Sequence, residues 1–151
     1  MPKRRQALIG EVGNAMQAYQ RSVEAFDDTV GKRLGLNPTD LRCLDWLFDG
    51  AKSAGELSEA TGLSSAATTT MIDRLEVKGL IGRVRDVADR RKVLVAMTPR
   101  GRERTGQLYG PMVIEGNKIL ARFSDDELAL LRDFLVATRE LTDRHRARLR
   151  K

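Results

Sequence analysis

Between residues 6 and 34, apolar side chains recur at steps of three and four: Leu8, Val12, Ala15, Met16, Tyr19, Val23, Phe26 and Val30. That period predicts one long amphipathic helix, weakened slightly by Gly10, Gly13 and Gly31. The stripe is long and narrow, so it should pack on another element or another chain. Asn37-Pro38-Thr39-Asp40 reads as a helix start: a cap residue, proline in the first helical position and an acid in the first turn. Leu41, Leu44, Leu47 and Phe48 form that helix's apolar face, and Asp49-Gly50 stops it. Ser53-Ala54-Gly55-Glu56 is a capping box opening a short helix, with Leu57 and Ala60 inward and Gly62 as its stop. Ser64 caps a third helix to about Lys78, with Ala67, Thr68, Met71, Ile72 and Leu75 toward the core and Gly79 at its end.

The period then changes. Residues 80–84 and 92–98 are β-type segments, the second alternating through Val93, Val95 and Met97. The polar stretch 85–91 between them makes a hairpin with a long charged tip. Thr98-Pro99 starts another helix, which Gly101, Gly106, Gly110, Pro111 and Gly116 should make irregular. Ser124-Asp125-Asp126-Glu127 is a second capping box, before a last helix with Leu128, Leu131, Phe134, Leu135, Thr138 and Leu141 on one face. The pattern predicts a mainly α fold with a small β-wing, read as a single domain over 1–151. A winged helix-turn-helix lobe occupies 36–99, between N- and C-terminal dimerisation helices at 6–34 and 100–151. The outer stripes exceed what a three-helix core covers, and bare they would be a liability. Pairing of two chains follows; packing of the stripes on each other within one chain is the alternative.

Charge sharpens the picture. The net charge is +6, and its distribution matters more than its sum. Residues 24–59 hold eight acids and four bases, whereas 64–104 hold ten bases and five acids, and 139–151 hold six bases and two acids. A basic middle on a neutral-to-acidic body suggests a polyanion-binding face; a merely solvated basic surface is the alternative. Aromatics at 5% argue against stacking platforms for single-stranded nucleic acid. No run approaches the roughly 18 apolar residues of a membrane span, and no secretory apolar core follows Met1-Pro2-Lys3-Arg4-Arg5. The expectation is a cytoplasmic protein with no membrane partner. One cysteine, Cys43, excludes an internal disulfide and a cysteine-cluster zinc site. The single histidine, His145, makes no metal cluster with scattered acids. No nucleophile–base–orienter set or phosphate loop appears, so neither an enzyme nor a cofactor is expected.

Two short helices joined by a turn at Gly62 make a helix-turn-helix, whose second helix suits a major groove. The outward positions are Ser65, Ala66, Thr69, Thr70 and Asp73. Small side chains let a helix approach base edges; hydroxyls can bond bases or phosphates, and an alanine or threonine methyl can touch a thymine methyl. The candidate readout set is Ser64, Ser65, Ala66, Thr68, Thr69 and Thr70; a plain solvated Ser/Thr face is the alternative. Arg83, Arg85, Arg90, Arg91 and Lys92 crowd the hairpin, and a narrow minor groove attracts inserted arginine. Asp89 could hold one of these arginines in a fixed rotamer; Asp86 could do the same or cap the turn.

From Leu36 to Gly101 the chain resembles the multiple-antibiotic-resistance regulator (MarR) family. The carrying residues are Asp73-Arg74-Leu75-Glu76, Lys78-Gly79-Leu80, Asp89-Arg90-Arg91 and Met97-Thr98-Pro99-Arg100-Gly101. The resemblance implies a homodimer with interleaved terminal helices, each recognition helix on half of a pseudo-palindrome and each wing in the flanking minor groove. Half-sites about one helical turn apart, roughly 34–36 Å, suit such a pair. By position Arg90 or Arg91 is the wing-tip arginine, Asp89 its buttress, and Arg74 a phosphate or support contact. Val87 and Ser65 depart from positions where relatives often carry proline, and Thr70 from one where they often carry a base. The implied function is a sequence-specific transcriptional regulator, a repressor released from double-stranded DNA by a small aromatic or phenolic effector. A non-specific, architectural DNA-binding protein without an effector is the alternative. Tyr19, Phe26 and Trp46 are candidates for an effector pocket, with core packing as their plain reading. Relatives that sense peroxides keep their cysteine in the first helix; Cys43 lies in the second and reads as a small buried hydrophobe.

Overall fold

Helix starts fall where the cap residues stand. Asn37, Ser53, Ser64 and Ser124 are extended, and each side chain accepts from a backbone N–H one turn on. The computed structural model describes residues 3–150; the Met1-Pro2 start and Lys151 of the basic tail lie outside the described residues. The order is α1 (Lys3–Leu34), α2 (Pro38–Phe48), α3 (Ala54–Thr61), α4 (Ser65–Val77), β1 (Ile81–Arg85), β2 (Val93–Met97), α5 (Pro99–Leu120) and α6 (Asp125–Leu149). The chain divides into two compact units, one ending at Gly106 and one beginning at Gln107.

The first unit holds the lobe. Leu44 and Leu47 of α2, Leu57 of α3, Met71 and Leu75 of α4, and Leu80 and Ile81 at the hairpin entry are its buried centre. Each such side chain contributes about 1.5–3 kcal/mol on removal from water. Val30 and Leu34 bury the last turns of α1 here, and Gly101 and Thr105 bury the first turns of α5. β1 and β2 pair antiparallel, from Ile81 opposite Met97 to Arg85 opposite Val93. Lys52 adds a bridge to β2: its N–H donates to the Val95 carbonyl at 2.9 Å and its carbonyl accepts from Val95 N–H at 2.7 Å. A single bridging residue has no period, so the sequence gives no sign of it.

The Thr98-Pro99-Arg100-Gly101 motif is the joint between hairpin and α5. The Thr98 hydroxyl donates to the Gly79 carbonyl at 2.6 Å and accepts from Gly101 N–H at 3.0 Å. A Cβ at Gly101 would sit on the Leu80 carbonyl oxygen and lie 2.9 Å from Met97 Cγ. Gly101→Ala is therefore expected to cost about 3 kcal/mol, the upper part of the overpacking range, because the obstacle is backbone. Urea denaturation checks it; an unchanged midpoint would mean the joint is looser than drawn.

In the second unit, α5 continues to Leu120 and α6 begins at its Ser124–Glu127 capping box. α5 is continuous through Gly106, Gly110, Pro111 and Gly116, so none of these residues ends it. Proline crowds the Cβ of the residue before it, and Gly110 has none. No residue of α6 is buried. Among the described residues, no helix is long and apolar enough to cross a membrane.

Candidate nucleic-acid interface

α3 and α4 are each capped at the start, and a tight turn joins them. Ser53 Oγ accepts from Glu56 N–H at 3.1 Å, and Glu56 Oε2 accepts from Ser53 N–H at 2.7 Å; these bonds hold the Glu56 carboxyl below its usual range. Gly62 closes α3 at φ +75°, a left-handed conformation that favours glycine. Ser58 Oγ donates to the Leu63 carbonyl at 2.6 Å, and Ser64 Oγ accepts from Ala67 N–H at 3.2 Å. α4 then turns Met71, Ile72 and Leu75 inward and leaves Ser65, Ala66, Thr69, Thr70 and Asp73 exposed. Ser64 is exposed as the cap.

One expected readout residue is corrected. Thr68 is 1% exposed, and its hydroxyl donates to the Ser64 carbonyl at 2.8 Å. It sits four residues before Ile72 on the face that packs into the lobe, so DNA has no access to it.

The hairpin tip is built from two acid-capped turns. Asp86 Oδ1 accepts from Ala88 N–H at 2.9 Å, and Asp89 Oδ1 accepts from Arg91 N–H at 3.0 Å. Asp86 N–H donates to the Lys92 carbonyl at 3.1 Å, and Lys92 N–H to the Asp89 carbonyl at 2.9 Å. Asp89 thus braces the backbone that carries Arg91, where a side-chain pairing with an arginine was expected. Arg85 Nη1 reaches the Arg90 carbonyl at 3.0 Å. Arg90, Arg91 and Lys92 are exposed.

Two further arginines are spoken for. Arg83 on β1 donates at 2.7 Å to both Asp73 and Glu76 of α4, so it ties the wing to the recognition helix and offsets two acids on that helix. Arg74 donates to Asp40 through Nε, at 3.3 Å to Oδ2, and through Nη2 to Oδ1. Asp40 is 2% exposed, and its Oδ2 also accepts from Asn37 N–H at 3.3 Å. One buried carboxylate therefore joins the α2 cap to α4. Sequence spacing missed both sets of pairs: Arg74 and Asp40 lie 34 residues apart, and Arg83 meets Asp73 and Glu76 across the junction of a helix and a strand, so neither leaves a periodic trace.

The remaining candidates are dispersed. Tyr19 on α1 and Trp46 on α2 are exposed, and Phe26 is half-buried. Cys43 is fully buried in α2. Burial, with the Asp40 charge adding to it, pushes its thiol from an ordinary 9.0 up to about 12. A raised value keeps the thiol neutral below pH 9.0 in both the folded and unfolded chain; above it, ionisation favours the unfolded chain until about 12. Iodoacetamide at pH 8 is expected to label Cys43 only after denaturant is added. Labelling of the native chain at the rate of a free thiol would contradict that burial. Among the described residues no group of His, Cys, Asp and Glu is placed to hold a metal.

A tight helix pair presenting an exposed second helix, beside an antiparallel hairpin with arginines at its tip, defines a winged helix-turn-helix DNA-binding protein. The chain belongs to the MarR family, whose sequence model matches residues 36–93. It is 31% identical over 127 residues to the uncharacterized HTH-type transcriptional regulator YcgE of Bacillus subtilis (strain 168), covering 83% of this chain and 82% of that one. It is 28% identical to the HTH-type transcriptional repressor MdtR of the same organism, covering 77% and 73%. The structure of a MarR family protein from Bacillus stearothermophilus shares the fold, with a TM-score of 0.66 and 22% identity over 91% of this chain and 97% of that one. The protein is a DNA-binding transcriptional regulator, and its family is one of regulators rather than enzymes.

Proposed function

We propose that this regulator is a homodimeric repressor of a pseudo-palindromic operator. Each α4 enters the major groove of one half-site, and each hairpin tip places Arg90 or Arg91 in the minor groove beside it. The observation that carries the reading is the exposed row of small residues on α4, linked through Arg83 to a hairpin whose tip arginines stand free in solvent. Arg85 and Lys92 add positive charge at the base of the tip. Arg74 supports α4 through Asp40.

Dimerisation is supported by apolar surface that each unit leaves bare. Leu8, Ile9 and Val12 of α1 are exposed, as are Leu130, Phe134 and Leu135 of α6. A second copy is the partner that suits two-fold operators. Binding at a promoter excludes polymerase, and MdtR carries the name of repressor; access to chromosomal DNA places the work in the cytoplasm. A small aromatic or phenolic effector, met by Tyr19, Phe26 or Trp46, releases the dimer by favouring a half-site spacing that DNA does not match.

Selection of random duplexes on the full chain tests this. The expected product is an inverted repeat with half-sites about 10–10.5 base pairs apart, or a multiple, bound by a species of twice the chain mass. A pool without a consensus would favour the architectural alternative, and a monomer on single half-sites would remove the dimer.

A further inference from the structure

Thr68, Thr69 and Thr70 each spend the hydroxyl proton on their own helix. Thr69 Oγ1 donates to the Ser65 carbonyl at 3.1 Å, and Thr70 Oγ1 to the Ala66 carbonyl at 3.1 Å, repeating the Thr68 bond to Ser64. A hydroxyl has one proton to give, so neither exposed threonine keeps a donor for a base or a phosphate. Threonine has two favoured χ1 rotamers in a helix, and its bond to the i−4 carbonyl restricts the choice. With the oxygen turned to the helix carbonyl, the γ-methyl is the group left facing out. Ala66, Thr69 and Thr70 stand at i, i+3 and i+4, one patch of helix surface, and all three are exposed. Asp73, next along the same row, is engaged by Arg83. The central patch offered to a groove therefore carries three methyl groups and no free hydroxyl proton, with the threonine oxygens, turned to the helix carbonyls, left only as acceptors. In the major groove only thymine, among the four bases, presents a methyl.

We propose that α4 selects its operator by methyl-to-methyl contact with thymine, through Ala66, Thr69 and Thr70, and not by threonine hydroxyls bonding base edges. The inference rests on the regulator reading above, in which α4 occupies a major groove. It makes Thr69 and Thr70 specificity determinants whose γ-methyl carries the signal.

The test begins with the duplex selected on the full chain and remakes it with uracil at each thymine, one symmetric pair at a time. Uracil lacks only the methyl. At two or three contacted pairs the expected loss is about fourfold per methyl in each half-site, the worth of one buried methyl group. T69V and T70V keep the methyl and lose the hydroxyl; they should retain wild-type affinity and thymine preference. T69S and T70S keep the hydroxyl and should each lose about fourfold per half-site, about 16-fold for the dimer, with no further loss on uracil at the matching pair. Equal binding of thymine and uracil duplexes would overturn the proposal, as would serine variants that behave as wild type while valine variants lose preference. The uracil arm needs no variant and stands even if a variant misfolds. A pool that yields no consensus would overturn the regulator reading itself, which separates the two failures.

Discussion

Replacing Arg90 and Arg91 together by alanine is expected to weaken operator binding by roughly 100-fold at physiological salt, taking about 1–3 kcal/mol for each groove contact. The salt slope should become shallower by about one for each arginine that neutralised a phosphate. The loss arises in the complex and not in the fold. The tip is held by Asp86 and Asp89 bonding backbone N–H groups and by Lys92 and Asp86 pairing through the main chain, so the variant keeps its loop. Melting should be unchanged. Arg83→Ala is the informative contrast. Its exposed pairs with Asp73 and Glu76 are worth only about 0–1 kcal/mol to stability. Yet the variant should bind DNA more weakly, because two uncompensated carboxylates then face the phosphates. Wild-type affinity and salt slope in the double variant would remove the tip from the interface.

Arg74→Met should lower folding stability by about 3 kcal/mol, the lower end for breaking a buried ion pair from one side. The damage comes from the carboxylate left behind. Asp40 is 2% exposed, and without Arg74 it keeps only the Asn37 N–H at 3.3 Å. Asp40→Asn should cost less, because the Arg74 side chain is 41% exposed and can turn to water. Urea denaturation at neutral pH measures both. Equal losses in the two variants would mean that the burial of Asp40 does not decide the energetics. Arg74 is also the reason a residue of the recognition helix can matter without touching a base: it ties α4 to the cap of α2.

The parts of this fold that were legible in the sequence are those set by residues within one turn of each other. Ser53 with Glu56, Ser124 with Glu127, and Gly62 at the end of α3 act through bonds across three or four residues, so motif and structure coincide. The strands were also legible, to within one residue at either end, because the alternation runs into a buried face at Val95 and Met97, although Val93 at its outer end is exposed. What was not legible depends on where elements meet. Nothing near Asp40 announces Arg74, and nothing near Arg83 announces Asp73 and Glu76. Thr68 belongs to two patterns, a hydroxyl row and a core row, and only the packing of α4 on the lobe assigns it to the second. α5 runs on past Pro111, where Gly110 has no Cβ for the proline ring to crowd, a local relief that a count of helix breakers misses. Gly101 reads as one more breaker, whereas its place against the Leu80 carbonyl leaves no room for a Cβ.

The central claim is that two copies of this chain recognise one duplex sequence through α4 and the wing. Competition between the selected operator and bulk duplex DNA, at about physiological salt with the full chain, measures it most directly. The operator should be preferred by roughly 10³-fold or more, with two chains on each duplex. Binding to all duplexes within a few-fold, or one chain per operator, would contradict it.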